Sequence, residues 1–289
     1  MRTYLDCIPC AIRQVLDSVR MITDDESVQA EIVQETLGLW REVDMHQSPP
    51  AMAQKVHRLV RARTGVADPY LEVKNRFNAL ALEMCPDLKQ KVIESADPIE
   101  TAVRFAIAGN IIDFGVNASV DEGLVETTIA KSLTDPLDRE ALEDFKGAIA
   151  DATDILYLGD NTGEIVFDRL LVEQLPLEKV TFAVRGAPIL NDAVMADAET
   201  VGLTDLVEVI DNGTDAPGTI LESCSESFQK RFREADLIIS KGQGNFETLS
   251  DTDEKIFFLL RPKCAVLARH LNCEMGRQII ARGGRTIRN

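Results

Sequence analysis

The chain reads as an α/β protein, a Rossmann-like and mostly parallel sheet domain preceded by an all-helical region. Three observations carry this expectation. Residues 1–152 hold one amphipathic helical pattern after another, with no convincing strand. From Ile155 onward, apolar runs alternate with helix-length segments, as in βα units. Three of those runs end in glycine and ionisable residues, the composition expected beyond the carboxyl ends of parallel strands. The division therefore falls between a helical region, 1–152, and a Rossmann-like α/β domain, 153–289.

The elements follow in order. Residues 6–21, 25–43, 50–64 and 69–84 carry helical apolar spacing, and Pro, Gly or Asp marks the breaks between them. Val103, Ile107, Ile111 and Phe114 fall three or four apart, which predicts a helix over 98–114. Helices over 122–132 and 138–152 complete the first region. Residues 155–158, 180–184 and 237–239 are short apolar runs of the kind that form buried parallel strands. Further strands are expected at 206–210 and 264–268, and helices at 163–174, 192–201, 219–235 and 274–282.

Composition narrows the function. The chain has 289 residues, 45% apolar and 27% charged, enough for one large domain or two ordinary ones. Its 31 basic against 48 acidic residues leave a net charge of −17, which argues against a nucleic-acid binder. No apolar stretch approaches the roughly 20 residues of a membrane span. The N-terminus lacks the apolar core of a signal peptide, so a cytoplasmic location is the expectation. Six cysteines are too few for a disulfide scaffold and are expected to be reduced. Cys7 and Cys10 have a Cys-x-x-Cys spacing, read either as buried thiols or as half of a zinc site that Cys264 and Cys273 would complete if the chain ends meet. His46, His57 and His270 show no shared ligand spacing, and no Gly-x-Ser-x-Gly elbow appears.

The strand ends hold the candidate chemistry. Gly159-Asp160-Asn161-Thr162-Gly163-Glu164 follows the first run, Arg185-Gly186 and then Asn191-Asp192 follow the second, and Ser240-Lys241-Gly242-Gln243-Gly244-Asn245 ends the third. Asp160, Asn161 and Asp192 are hard oxygen donors suited to a divalent metal. The alternative is helix capping, since Asn161 and Glu164 have capping-box spacing and Asp192 would make a good N-cap. Lys241 beside Gly242 suits a phosphate, with Arg185 in reach; a turn lysine and a structural ion pair are the alternatives. Ala106, Asn110, Asp113 and Asn117 form a small and polar helical stripe that either faces solvent or reads a polar substrate.

Taken together and in order, these segments resemble the DUF89 family, also called ARMT1-like damage-control phosphatases. The resemblance spans nearly the whole chain, from Cys7-Ile8-Pro9-Cys10 with Arg13-Gln14, through Ala108-Gly109-Asn110-Ile111-Ile112-Asp113 and the three strand-end motifs, to Phe246-Glu247. The cysteine pair resembles the shorter, mainly prokaryotic and archaeal branch. The resemblance implies a metal-dependent phosphatase of small phosphorylated metabolites, with metal on Asp160, Asn161 and Asp192 and a phosphate-contacting lysine at Lys241.

The combined expectation is phosphomonoester hydrolysis. Asp160, Asp192 and Lys241 are the catalytic candidates, and Lys241, Asn110, Asp113, Arg185 and Gly242 the substrate-binding ones. Mn²⁺, Co²⁺, Ni²⁺ and Mg²⁺ are all compatible cofactors. The rival from another class is a non-catalytic, metal-dependent sensor of a phosphorylated metabolite. A carboxyl methyltransferase is a third reading, weakened because no Gly-x-Gly-x-Gly turn follows the first strand.

Overall fold

The computed structural model describes residues 1–110, 122–252 and 256–284. Helices come first: α1 (Cys7–Ile22), α2 (Glu26–Arg41), α3 (Pro49–Thr64), α4 (Leu71–Glu94), α5 (Pro98–Gly109), α6 (Glu122–Ser132) and α7 (Arg139–Asp151). Their starts follow the break residues seen in the sequence. Asp25, Asp97 and Asp138 each accept a backbone N–H of the first turn, and proline opens α3 and α5. One boundary differs: α4 runs to Glu94 with Pro86 inside it, where proline suggested an end near Met84.

The second half alternates as expected at first: β1 (Ile155–Leu158), α8 (Glu164–Val172), β2 (Val180–Val184), α9 (Met195–Thr200), β3 (Glu208–Asp211), α10 (Glu226–Glu234), β4 (Leu237–Lys241) and α11 (Gly242–Leu249). The C-terminal elements correct the sequence reading. The strand expected at 264–268 is a helix, α12 (Ala265–His270), started by Cys264, whose Sγ accepts Leu267 N–H at 3.4 Å. The helix expected at 274–282 gives way to β6 (Ile279–Arg282). A strand the sequence reading passed over, β5 (Ile256–Leu260), is buried at every position.

The sheet order is β3-β2-β1-β4-β5-β6, parallel except for β6, which runs antiparallel to β5. Side chains alternate between its faces with period two. Ile155, Tyr157, Leu237, Ile239, Phe257 and Leu259 pack with residues of α4, α5, α7 and α8. Leu156, Leu158, Ile238, Phe258 and Leu260 pack with Phe228 and Phe232 of α10, Phe246 of α11 and Leu267 of α12. A separate apolar cluster joins α1, α2 and α3 around Val15, Ile32, Trp40 and Val56. Among the described residues, no helix is long and apolar enough to cross a membrane.

The order reverses at β1: the chain moves to β2 and β3 on one side, then returns to β4 on the other. Such a switch point opens a crevice beyond the carboxyl ends of β1 and β4. Leu158 is in register with both Ala183 and Ser240. Asp160 and Gly242, each two residues further on, therefore leave the sheet at matching heights.

Candidate active site

The turn after β1 and the loop after β2 are tied by their backbones. Ala193 N–H donates to Asp160 O at 2.8 Å and Thr162 N–H to Asn191 O at 2.9 Å, so Asn161 and Asp192 sit opposite each other in an antiparallel bridge. This pairing brings together the three metal candidates, Asp160, Asn161 and Asp192, from segments thirty residues apart in sequence. Capping does not account for them. The residue preceding α8 is Gly163, and α9 follows Val194, whose N–H is accepted by Asp197 rather than Asp192.

Asp160 and Asp192 are buried, and their carboxyl proton affinities are pushed up, well above the ordinary range for Asp160. For Asp160 the causes are burial first, then the neighbouring charges of Asp192 and Glu164. Arg185 lies between the two aspartates. Its Nε donates to Asp192 Oδ2 at 2.6 Å, and one terminal nitrogen meets Asp160 Oδ1 at 3.3 Å. The other terminal nitrogen donates to Asn245 Oδ1 at 3.1 Å. Arg185 is thus the ion-pair partner of both aspartates, as one of its two sequence readings held, and is itself buried.

Glu164 was singled out only for its spacing to Asn161, and its role is different. Its Oε2 accepts Asn110 Nδ2 at 2.7 Å and Asn161 Nδ2 at 2.9 Å. Asn110 also donates to Asp160 Oδ2 at 3.1 Å, while its own Oδ1 is buried and has no hydrogen-bond partner among the described residues. The polar stripe on α5 therefore does reach the crevice at Asn110; Asp113 and Asn117 lie outside the described residues.

Lys241 is not the exposed turn lysine of its alternative reading: its side chain is fully buried. Its ammonium donates to Ala106 O at 2.8 Å, Glu164 Oε1 at 2.7 Å and Asp168 Oδ1 at 2.5 Å, which uses all three N–H bonds. Burial alone would lower its proton affinity, but Asp168 and Glu164 raise it, so it stays charged. Burial also lifts Asp168 to about 7, against the pull of Lys241. Tyr157 completes the set by donating to Asp168 Oδ1 at 2.9 Å.

Gly242 opens α11 with φ +79°, and a Cβ there would stand 1.8 Å from Asp160 Oδ2. The glycine permits backbone to approach the carboxylate. Lys263, exposed just beyond β5, is the further cation whose charge reaches Asp160. Sequence reading missed it, together with Asp168 and Asn245. Asn245 donates to Gly159 O at 3.2 Å and Lys241 O at 2.8 Å, joining the ends of β1 and β4. The one available signal was Glu164 and Asp168 at helical spacing, two acids on one face of a helix that is apolar apart from them and Arg169.

The residues present fit a divalent cation. Three carboxylates (Asp160, Asp192 and Glu164) crowd a buried space, where Asp192 and Glu164 raise the cost of charge on Asp160 and Glu164 raises it on Asp192. The donors nearest the crevice are two carboxylates and an amide, and Asn161 donates its nitrogen to Asp160 and Glu164, which leaves its carbonyl oxygen as the amide's donor atom. Among the described residues, no three His, Cys, Asp or Glu side chains form a group able to hold a metal, so the set depends on the amide. The same finding bears on the cysteines. Cys7 is half-buried, Cys10 is exposed, and both thiols are pushed up, chiefly by desolvation and with help from Cys264 and Glu247. The fold does bring the N-terminal pair up to Cys264, without closing a ligand set.

Comparison with known proteins agrees with this architecture. A family model described as the damage-control phosphatase ARMT1-like domain matches residues 3–279. A damage-control phosphatase of Archaeoglobus fulgidus is 36% identical over 281 residues, covering 93% of this chain and 95% of that one. A damage-control phosphatase of Pyrococcus horikoshii is 34% identical over 288 residues, covering 98% of each. The crystal structure of a DUF89 family protein from Pyrococcus horikoshii superposes with a TM-score of 0.89 at 31% identity, covering 98% of this chain and 99% of that one.

Proposed function

The chain belongs to the ARMT1-like damage-control phosphatase family, and on that premise we propose that it is a metal-dependent phosphomonoesterase of small phosphorylated metabolites. The observation that carries the metal requirement is the excess of buried carboxylate at the switch point. Asp160, Asp192 and Glu164 converge there, and burial and mutual repulsion raise the proton affinity of both aspartates. A bound divalent cation, Mn²⁺, Co²⁺, Ni²⁺ or Mg²⁺, would neutralise that charge and supply Lewis-acid stabilisation of the phosphoryl group.

In this reading Asp160, Asn161 and Asp192 hold the cation. Arg185 keeps the two aspartates aligned and apart from bulk water, and Asn245 orients Arg185. The opening turn of α11 directs its N–H groups and helix dipole to the phosphate side, where Gly242 allows close approach. Lys263 adds positive charge at the mouth. The unpartnered Oδ1 of Asn110 accepts a hydrogen bond from a substrate hydroxyl, which suits a sugar phosphate. Lys241 supports the site from behind by holding Glu164, which in turn aligns Asn110 and Asn161. Hydrolysis then breaks the ester P–O bond, water supplies the new oxygen, and the leaving alkoxide takes up a proton.

The test is phosphate release from a panel of sugar phosphates and an aryl phosphate, after chelation and after return of each metal. Chelation should abolish release, and one or more of the four metals should restore it. Asp160→Ala and Asp192→Ala should cost at least about 100-fold in kcat/KM, far beyond the roughly 0.5–2 kcal/mol of folding energy a lost cap would explain. Undiminished release without metal would overturn the metal requirement. Tight Mn²⁺-dependent binding of phosphate esters with no release would favour the sensor reading.

A further inference from the structure

We infer that Lys74 and Asn78 of α4, acting through Asp197, are positioning residues that hold the two aspartate-bearing loops in register from the side away from the crevice. Both sit on the face of α4 that also carries Phe77 and Ala81, at helical spacing, and all four are buried. A lysine and an asparagine on an apolar stripe need partners, and the partners found are the two loops.

Asn78 spans the gap with its one amide. Its Oδ1 accepts Gly163 N–H at 2.8 Å, at the turn that follows Asp160 and Asn161. Its Nδ2 donates to Asp197 Oδ1 at 2.9 Å. The other oxygen of Asp197 accepts Val194 N–H at 2.9 Å, two residues beyond Asp192. A continuous chain of three hydrogen bonds therefore links one metal-candidate loop to the other without passing through the crevice. Gly163 is held at φ +73°, and a Cβ there would come within 3.2 Å of Phe77, so α4 lies directly under this turn.

Lys74 makes that chain sustainable. Asp197 is buried, and a buried carboxylate without a counter-charge is costly. The Lys74 ammonium meets Asp197 Oδ2 at 3.1 Å and Asp68 Oδ2 at 3.2 Å, at a side chain only 1% exposed. Asp68 is in turn fixed at the start of α4 by accepting Tyr70 N–H at 2.9 Å. The helical half of the chain thus sets the spacing of the two loops through a pair of side chains that touch neither substrate nor metal.

Only the turnover arm of the test rests on the phosphatase reading. Asn78→Ala and Lys74→Met are compared with Ile32→Ala, a cavity variant in the separate α1–α3 cluster that loses stability without touching either loop. Because misplacing reacting groups by about 1 Å costs on the order of 100-fold, both variants should lose roughly that much kcat while KM stays within about 3-fold. The double variant should lose less than the product of the single losses, since both act through Asp197. Independently of turnover, backbone amide exchange should accelerate in peptides covering 159–166 and 190–196 and stay unchanged there in Ile32→Ala. If Asn78→Ala does not fold, Asn78→Ser, whose hydroxyl keeps a polar group there but is too short to span both loops, carries the same readouts. Exchange and kcat matching Ile32→Ala would overturn the positioning role. A native protein that hydrolyses no phosphate ester would overturn the phosphatase reading, while the exchange data would still decide this one.

Discussion

Replacing Gly242 by alanine is the sharpest single perturbation of the crevice. The new Cβ would lie 1.8 Å from Asp160 Oδ2, 2.3 Å from its Cγ and 2.9 Å from its Cβ. An ordinary carbon–oxygen contact is about 3.3 Å, so roughly 1.5 Å must be recovered by moving the carboxylate or the start of α11. Moving the carboxylate breaks its bonds from Asn110 and Asn161 and its ion pair with Arg185. The backbone adds its own cost, since φ is +79° and a left-handed alanine is disfavoured by about 1–2 kcal/mol. Gly276 supplies the control. Its φ is +77°, with nothing among the described residues within 4 Å of the added carbon, so Gly276→Ala carries the backbone cost without the collision. Gly276→Ala should lose about 1–2 kcal/mol in urea unfolding, and Gly242→Ala more, because the collision adds to the backbone cost. Gly242→Ala alone should lose at least about 100-fold in kcat/KM and weaken Mn²⁺ binding in calorimetry. Activity in Gly242→Ala within about 3-fold of Gly276→Ala would refute the claim that Asp160 must stay where it is.

Other outcomes follow from the same geometry. Lys241→Met should destabilise the fold by about 3–5 kcal/mol in urea unfolding, because it strands Glu164 and Asp168; an exposed turn lysine would cost within about 0.5 kcal/mol. His57 is buried, and its proton affinity falls from 6.5 to about 4, through burial first and then Arg61. The unfolded chain therefore takes up this proton first as pH falls, so stability is complete above about pH 6.5 and is lost on the way down to 4. Between pH 7 and 5 the native protein should lose about 2 kcal/mol more than His57→Asn, read from paired urea titrations. Cys7→Ser combined with Cys10→Ser should leave the metal requirement of turnover unchanged, as measured by chelation and metal return.

The sequence was most informative where one physical signal dominated. Buried parallel strands have a continuous apolar run and a polar exit, so β1, β2 and β4 were readable, and with them the convergence of Asp160, Asn161 and Asp192 at neighbouring strand ends, whereas the strand order and its switch point are set by long-range pairing. The C-terminal elements were not. Val266-Leu267-Ala268 is a short apolar run that suits a strand or a buried helix equally, and only the Cys264 cap separates the two. Ile279 to Arg282 lies on an antiparallel edge where periodicity over four residues carries little weight. Lys241 shows a different limit. Local sequence sees a lysine before two glycines, whereas its environment is set by Ala106, Glu164 and Asp168, all distant in the chain. Lys74 passed without notice in the sequence, because its partner Asp197 lies more than a hundred residues away in the chain.

Gly109 couples the two halves of the molecule by its size. It sits at the end of α5, where a Cβ would press to 2.8 Å against the ring of Phe167 on α8. The next residue is Asn110, which reaches Asp160 and Glu164. The distance at which the helical half offers its amide is therefore set by a missing methyl group opposite an aromatic ring. A chimera that takes residues before 110 from one relative and α8 from another will succeed only when the two positions remain complementary in volume. Substitutions at 109 and 167 should be inherited as a pair, and new specificity should arise around that hinge of sizes rather than across it.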